Sequence, residues 1–212
     1  LRHVPPRVLY FSIIAVLAAV DSLDKTISSS LSSLDSNTMY LASFSFGPSE
    51  VPRWKREQFD QISFNEYRSL KSSLSDVEHV AFQLIVKGEN IRYEAEQVDR
   101  VNTVAVSKEF SDIQVLEYEK GRFFNESESN TGRPVVVIGS EIAKALFGTF
   151  NPLGKRVRLY GQKFTVIGVV KKEGSGLLGP SNDESIFIPA NFVRIKFGEN
   201  NPNIRSLVII KP

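Results

Sequence analysis

Few residues of this chain have side chains that could support catalysis or bind a metal. Histidine occurs only as His3 and His79, and cysteine is absent. A Ser-His-Asp triad needs a histidine held by an acidic partner, and zinc sites need several His or Cys ligands. His79 lies in a predicted strand, where a surface or hydrogen-bonded histidine is typical. The sequence therefore predicts no triad, no histidine or thiolate metal site and no cofactor.

The adjacent carboxylates of Asp183 and Glu184 are the remaining candidates for acid–base chemistry. They follow a glycine-rich loop, and neighbouring acidic residues in a loop are typically solvated. A hydrolase stays an alternative only if one of them meets another carboxylate in a cleft. We expect that the chain is not an enzyme.

Two glycine-rich stretches share only part of the pattern of a phosphate-binding loop. Gly148 is followed by Gly154-Lys155, but the gap is one residue too long and Arg156 stands where the motif has Ser or Thr. The stretch from Gly174 to Gly179 joins two strands rather than leading into a helix N-terminus, where a phosphate would bind. We expect a mobile surface loop there and no nucleotide site.

Two loops contain residue types that are common in protein interfaces. Trp54 stands beside Arg56 in a basic, proline-flanked loop, and Trp and Arg dominate interface hot spots. Trp54 is either an exposed anchor or a cover for the edge of its own core. Leu177 and Leu178 are apolar residues within the glycine-rich loop, and they are either a partner contact or a packed loop tip. We predict Trp54, Arg56, Leu177 and Leu178 as candidate partner contacts.

The composition of the chain limits the classes of partner that it could bind. The chain has 212 residues, 26 Lys and Arg, 24 Asp and Glu, and a net charge of +2. This balance gives no electrostatic case for nucleic-acid binding, which depends on a clear excess of cations. An apolar content of 42% is ordinary for a globular protein. The absence of cysteine rules out a disulfide framework.

The N-terminal segment contains a continuous apolar run, Val8 to Val20. A membrane-spanning helix needs about 20 residues, so the run is too short to span by itself. It leads into Leu23, Ile27 and Leu31, which recur at helical spacing with Ser and charged residues between them. We interpret it as the outer end of a transmembrane helix that continues as a stalk. A signal-peptide core or a buried N-terminal helix are the alternatives.

The elements that would position these residues follow as strands and short helices. Ser63 and Glu66 have the spacing of a capping box and predict a helix start. We expect strands at 38–46, 77–86, 91–97, 101–106, 134–138, 157–160, 164–170, 186–189 and 206–210, helices after Ser63 and Ser140 and at 190–197, and a polar loop at 125–133. Ser140 is the predicted N-cap of the second helix, Gly148 its predicted end, and Gly161-Gln162 the predicted turn of a hairpin. The last strand is predicted to pair back with the first region, which makes the middle of the chain an insertion. This pattern favours an α+β fold with a mixed sheet.

Six segments occur in an order that resembles the extracytoplasmic core domain of MacB/FtsX-type ABC transporter permeases. They are Lys120-Gly-Arg-Phe-Phe124, Val136-Val-Ile-Gly139, Ala145-Leu-Phe-Gly148, Asn151-Pro-Leu-Gly-Lys155, Phe164-Thr-Val-Ile-Gly-Val169 and Ile186-Phe-Ile-Pro189. Each segment alone is weakly specific, whereas six in sequence are fairly specific. The likeness covers nearly the whole chain after residue 12.

The resemblance implies a porter-like, ferredoxin-like βαβ subdomain at 37–109 plus 203–212. A smaller β-rich mixed subdomain at 110–202 interrupts it, and the end of a transmembrane helix with a stalk helix, at 1–36, precedes it. Such domains are non-catalytic. They lie on the periplasmic side of the bacterial inner membrane.

The implied function is to couple ATP-driven stalk motion to export, lipoprotein release or signalling. The implied partners are a second permease subunit, a cytoplasmic ABC ATPase, a periplasmic adaptor or lipoprotein, and the membrane through further transmembrane helices. Leu23, Ile27 and Leu31 would shift against the twin subunit. A free-standing periplasmic ligand- or peptide-binding domain is the alternative, favoured by a cleaved N-terminus and a deep apolar pocket.

Overall fold

The computed structural model describes residues 38–42, 60–74, 76–174, 181–198 and 204–212, and the single positions 52, 55 and 201. All of them belong to one compact unit, which spans Asn37–Ser175 and Pro180–Pro212. The predicted apolar run and stalk at 1–36 lie outside the described residues. Within the described part of the chain, no helix has the length and apolarity needed to cross a bilayer.

The described residues form strands, short helices and one 3-10 turn. The strands are β1 (Met39–Ala42), β2 (His79–Ile85), β3 (Glu89–Tyr93), β4 (Glu96–Val106), β5 (Tyr118–Gly121), β6 (Val135–Ile138), β7 (Arg156–Leu159), β8 (Gln162–Val170), β9 (Ser185–Pro189) and β10 (Arg205–Lys211). The helices are α1 (Phe64–Ser73), α2 (Phe110–Ile113), α3 (Glu126–Thr131), α4 (Ser140–Phe147) and α5 (Ala190–Phe197), and the 3-10 turn is Asn182–Glu184. The expected mixture of helices and strands is confirmed.

The strands pair into one sheet that closes on itself over part of its length. The sheet order is β1-β10-β2-β4-β3-β7-β8-β6-β9, and β9 also pairs with β4. The strands β4, β3, β7, β8, β6 and β9 therefore form a closed ring, and β1, β10 and β2 extend from it as an antiparallel sheet. This is possible because β4 is long: one edge pairs first with β3 and then with β2, while the other pairs in parallel with β9.

Residue alternation along the ring strands separates two buried clusters, as the period of a strand requires. Val136, Ile186 and Ile188 belong to one cluster, together with the apolar sides of α1, α4 and α5. The intervening Val137 and Phe187 belong to the other cluster, which includes α2 and the residues that follow β5. Every residue of β6 and β9 is buried. Because both faces of these strands are covered, nearly all of their residues are apolar.

The predicted capping box at the start of α1 is confirmed. The Ser63 side chain accepts a hydrogen bond from the Glu66 amide, and the Glu66 carboxylate accepts one from the Ser63 amide at 2.7 Å. Tyr67 is buried against Phe82 of β2, with ring centroids 5.3 Å apart. The Arg194 guanidinium of α5 lies 3.8 Å from the centre of the Phe64 ring. The helix is thereby held between β2 and α5.

The predicted boundary between the third and fourth strands is wrong. The chain turns at Glu94-Ala95, and a single strand runs from Glu96 to Val106. Glu94 adopts a φ of 51°, which is unusual for a residue other than Gly or Asn, so the residue types gave no turn signal. Arg100, with a φ of 48°, makes an irregularity inside β4, and its amide donates to Asn90 Oδ1. That irregularity is where the sequence suggested a break.

The segment 125–133, predicted as a polar loop, contains helix α3. Asn125 and Glu128 form a capping box, and the helix ends at Gly132 in the left-handed conformation. Glu128 is buried, and its carboxylate accepts two hydrogen bonds from the Arg122 guanidinium, at 2.7 and 3.0 Å. Arg122 holds the pKa of Glu128 below its usual value of 4.5. The ion pair therefore fastens α3 to the strand end that precedes it.

Two further expectations are displaced by one residue. Gly139, not Ser140, is the N-cap of α4, and it makes no side-chain capping bond. The β7–β8 hairpin turns at Tyr160-Gly161 rather than Gly161-Gln162, and both turn residues have positive φ. The predicted end of α4 at Gly148 is confirmed.

The last strand pairs with the first region, as predicted, because β10 lies between β1 and β2. The parallel pairing of β4 with β9 joins the two regions that the resemblance treats as separate subdomains. The division into a porter-like region at 37–109 plus 203–212 and an inserted region at 110–202 stays a prediction.

Candidate functional site

A groove of about 690 Å³ lies between helices α1 and α3. We call it the α1–α3 groove. Tyr67, Arg68 and Lys71 line it on the α1 side, and Glu126 and Asn130 on the α3 side. Its size falls in the range of natural ligand sites.

The sheet topology places the groove at the carboxyl ends of two parallel strands. Val106 of β4 and Pro189 of β9 are paired, and the residues that follow them, Ser107 and Ala190, both line the groove. Crevices at the carboxyl ends of parallel strands are common binding sites, because the loops there diverge and leave space. The groove also has one wall from each of the two predicted regions.

A hydrogen-bond network joins α1 to the connection between β4 and α2. Lys71 Nζ donates to Glu109 Oε1 at 2.5 Å, and the Tyr67 hydroxyl lies 3.4 Å from Glu109 Oε2 and 3.5 Å from Ser107 Oγ. Ser107 Oγ accepts from the Phe82 amide at 3.0 Å. We call the contact between Lys71 and Glu109 the latch, because it links a helix of one side of the groove to its floor.

The groups of this network, the latch and Tyr67, are not poised for acid–base catalysis near neutral pH. Burial raises the pKa of Tyr67, and the neighbouring Glu109 raises it further. Burial would also raise the pKa of Glu109, but its hydrogen bonds and the charge of Lys71 together outweigh burial and keep this pKa below 4.5. Burial would lower the pKa of Lys71, but the bond to Glu109 and the nearby acidic groups together outweigh burial and keep this pKa above 10.5. Catalytic groups are tuned toward neutrality, whereas these move away from it, so the network suits binding.

The opposite wall is fixed by Asn191 at the start of α5. Its amide nitrogen donates to the backbone carbonyls of Ser129 and Asn130, at 3.2 and 3.1 Å, and its amide oxygen accepts from Arg194. These bonds hold α3 against α5.

Arg68 and Glu126 remain exposed on facing walls and form no ion pair among the described residues, so they are free to contact a ligand.

We expect the latch to contribute about 1 kcal/mol to the free energy of unfolding. This value is kept low because the Lys71 side chain is 44% exposed, and solvent screens the ion pair. A double-mutant cycle with Lys71→Met and Glu109→Gln measures it by chemical denaturation. Because the pKa of folded Glu109 is lowered, the coupling is present above the unfolded pKa near 4.5 and is lost as the pH falls through the folded value. Because the pKa of Lys71 in the folded protein is raised above 10.5, the coupling is also lost as the pH rises through that folded value.

The exposed pair Lys171–Glu117, at 2.6 Å with side chains 61% and 66% exposed, is the control. It should show no measurable coupling, as is typical of ion pairs that solvent fully screens. A Lys71–Glu109 coupling that is unchanged in acid, or equal to the control, would contradict the latch.

All seven candidate site residues from the sequence lie outside the described residues. They are Trp54, Arg56, Leu177, Leu178, Leu23, Ile27 and Leu31. Their roles stay predictions.

Asp183 lies within the described residues, and its side chain stabilises a loop. Its carboxylate accepts hydrogen bonds from the amides of Glu173 and Gly174, both at 2.9 Å, and the residue is buried. Ser181 Oγ closes the same loop by donating to the Gly174 carbonyl at 3.0 Å. Asp183 therefore ties the two ends of the glycine-rich loop, and Glu184 next to it is exposed. Among the described residues, no cluster of His, Asp and Glu could hold a metal ion.

The groove residues were missed because one wall was not recognised as a helix. The signal was present: Asn125 and Glu128 have the spacing of a capping box, as Ser63 and Glu66 do. The approach of Ser107 to Ala190 had no local signal, since it depends on the pairing of strands that are distant in sequence.

A family model described as the MacB-like periplasmic core domain matches residues 10–211. The pyoverdine export ATP-binding/permease protein PvdT of Pseudomonas aeruginosa is 28% identical over 196 residues, which cover 90% of this chain and 28% of that protein. A macrolide export ATP-binding/permease protein, MacB of Bdellovibrio bacteriovorus, is 26% identical over 191 residues, which cover 89% of this chain and 29% of that protein. The chain thus spans less than a third of the length of these relatives.

Solved structures show the same fold. The periplasmic region of MacB from Actinobacillus actinomycetemcomitans superposes with a TM-score of 0.68 at 21% identity, covering 85% of this chain and 77% of that one. The extracellular domain of the ABC-type transporter YknZ from Gram-positive bacteria superposes with a TM-score of 0.60 at 25% identity, covering 82% of each chain.

Proposed function

The chain belongs to the MacB-like periplasmic core domain family, and from that premise we propose that it transmits motion between a membrane transporter and partners in the periplasm. It would be the extracytoplasmic, non-catalytic domain of an ABC transporter permease in the bacterial inner membrane. ATP-driven movement of stalk helices would be converted into export, lipoprotein release or signalling. The observation that carries the proposal is the family match over nearly the whole chain.

The strand order supports a mechanical role. The predicted stalk leads into β1, and hydrogen bonds continue from β1 to β10, β2, β4 and β9 without a break. A displacement delivered at residue 38 would therefore reach both walls of the α1–α3 groove through one sheet. Because α1 packs on β2 and α3 packs on α5 and β9, a change of curvature would alter the width of the groove, and the latch would resist it.

The proposed partners follow from this role. A second permease subunit would place a twin stalk beside the first, and a cytoplasmic ABC ATPase would supply the motion. A periplasmic adaptor or a lipoprotein would receive it. We also propose that the regions 37–109 plus 203–212 and 110–202 act as the two lobes that flank the groove, after residues 1–36 have carried the motion from the membrane.

A free-standing periplasmic binding domain is the second candidate, and the size of the α1–α3 groove is the observation that favours it. The lining weighs against it, because charged and amide side chains dominate where the alternative expects a deep apolar pocket.

The reading frame of the native gene on both sides of this segment separates the two candidates. We expect the apolar run at 8–20 to lengthen into a full span and further membrane spans to follow residue 212. A cleavable signal before Asp21 and a stop codon near residue 212 would instead support a soluble binder and end the permease proposal.

A further inference from the structure

A second groove, of about 470 Å³, lies beside Phe150 in the connection between α4 and β7. We call it the Phe150 groove. Its apolar lining comes from Phe150 and the half-buried Ala143, with the buried Pro152 and Val169 beneath them. Its charged lining residues are Glu119, Lys120, Glu141, Lys144 and Lys172. It shares no lining residue with the α1–α3 groove.

Phe150 is presented outward by the backbone. Its side chain is 77% exposed, the largest exposure of any large apolar residue described, whereas Phe147 three residues earlier is buried. The Phe150 amide donates to the Phe147 carbonyl at 2.9 Å, and Asn151 Oδ1 accepts from the Leu153 amide. The turn is thus hydrogen-bonded on both sides of Phe150. Aromatic residues held in this way are typical anchors of protein interfaces.

The groove is lined by three lysines and by Glu119 and Glu141, so its net charge is +1 and it favours an anionic partner only at Lys144. Lys172 pairs with Glu141 at 2.6 Å, and Lys120 lies 3.8 Å from Glu119. Lys144 has no carboxylate within ion-pair distance among the described residues, so one cation remains in excess. Lys120 and Lys172 are each already close to a carboxylate of the groove, so Lys144 is the cation that can pair with a carboxylate of the partner.

We infer that the Phe150 groove binds an acidic polypeptide segment of a partner protein, in which an apolar side chain is flanked by Asp or Glu. The apolar residue packs against Phe150 and the floor of the groove, and a flanking carboxylate pairs with Lys144. The inference rests on the proposed partner-binding role, but its test measures binding by this chain and uses no transport assay. Its failure is therefore distinguishable from a failure of the proposed function.

The test is fluorescence anisotropy with a short labelled peptide that has one Phe flanked on both sides by Glu. The control peptides replace Phe by Ala or each Glu by Lys. Phe150→Ala and Lys144→Glu should each weaken binding about tenfold, as loss of a central anchor or reversal of a contacting charge does. Ile195→Ala, at a side chain that is 75% exposed, and Lys163→Glu, at an exposed lysine outside the groove, should leave binding unchanged. Raising the ionic strength from ~0.1 M to ~1 M should weaken binding.

Three results would overturn the inference. One is no binding of the Phe–Glu peptide at ~1 mM, the weak end of specific affinities. Another is equal binding by wild type and Phe150→Ala. The third is sedimentation with phosphatidylglycerol vesicles, or self-association in ultracentrifugation, that depends on Phe150 and Lys144 while peptide binding does not. Exposed positions tolerate substitution, and thermal melts of each variant verify that it is folded.

Discussion

Gly121→Ala should lower the free energy of unfolding by at least about 3 kcal/mol, through a steric conflict with the backbone. Gly121 ends β5 and pairs with Gly168 of β8, so two glycines face each other where the strands approach closely. A Cβ at Gly121 would lie 2.2 Å from the Ile167 carbonyl oxygen and 2.9 Å from the Gly168 Cα. Neither atom can move away without breaking the ladder between β5 and β8.

Gly154→Ala is the matched control. Gly154 has a φ of 77°, nearly equal to the 75° of Gly121, but a Cβ there would meet nothing within 4 Å. Its cost is therefore only the left-handed backbone conformation of a residue with a Cβ, about 1 kcal/mol. Denaturant titrations of both variants isolate the steric part. Equal losses for the two would show that the strands do not approach as closely as described.

Local signals in the sequence were sufficient for much of the fold. The capping box at Ser63, the end of α4 at Gly148 and the helix at 190–197 depend on neighbouring residues and were predicted. The pairing of β10 with the first region was predicted because an Ile- and Val-rich strand at the far end of the chain has to pair back with earlier strands. The mixed α/β character follows from these elements.

The remaining features depend on contacts that local residue types do not reveal. The turn at Glu94-Ala95 contains no glycine, proline or asparagine, so tertiary pairing of β3 with β4 decided its position. The closed ring and the α1–α3 groove require the parallel pairing of β4 with β9, which are about 80 residues apart in the chain. A sequence pattern can indicate a strand, but it does not say which distant strand lies beside it.

Polar substitution of the stalk residues should have the largest functional effect. Leu23, Ile27 and Leu31 recur at a spacing that predicts one face of a helix. Replacing all three by Asn would bury unpaired amides between twin stalks, at about 1–3 kcal/mol for each amide. Since 1.4 kcal/mol is about tenfold in an equilibrium, coupling should be abolished. Ser29→Asn, on the opposite helical face, is the control and should leave coupling intact.

Nucleotide-dependent motion of this domain tests the account most directly, and it needs no knowledge of the transported substrate. The chain has no cysteine, so Lys163→Cys, at an exposed position, provides one spin-label site per subunit once any cysteines elsewhere in the full-length protein are replaced. We expect ATP to change the distance between the paired labels by about 5 Å, comparable to one helical turn. In the triple stalk variant that change should be lost while ATP hydrolysis continues. A label distance that does not respond to ATP, or that responds equally in the stalk variant, would contradict the proposed coupling.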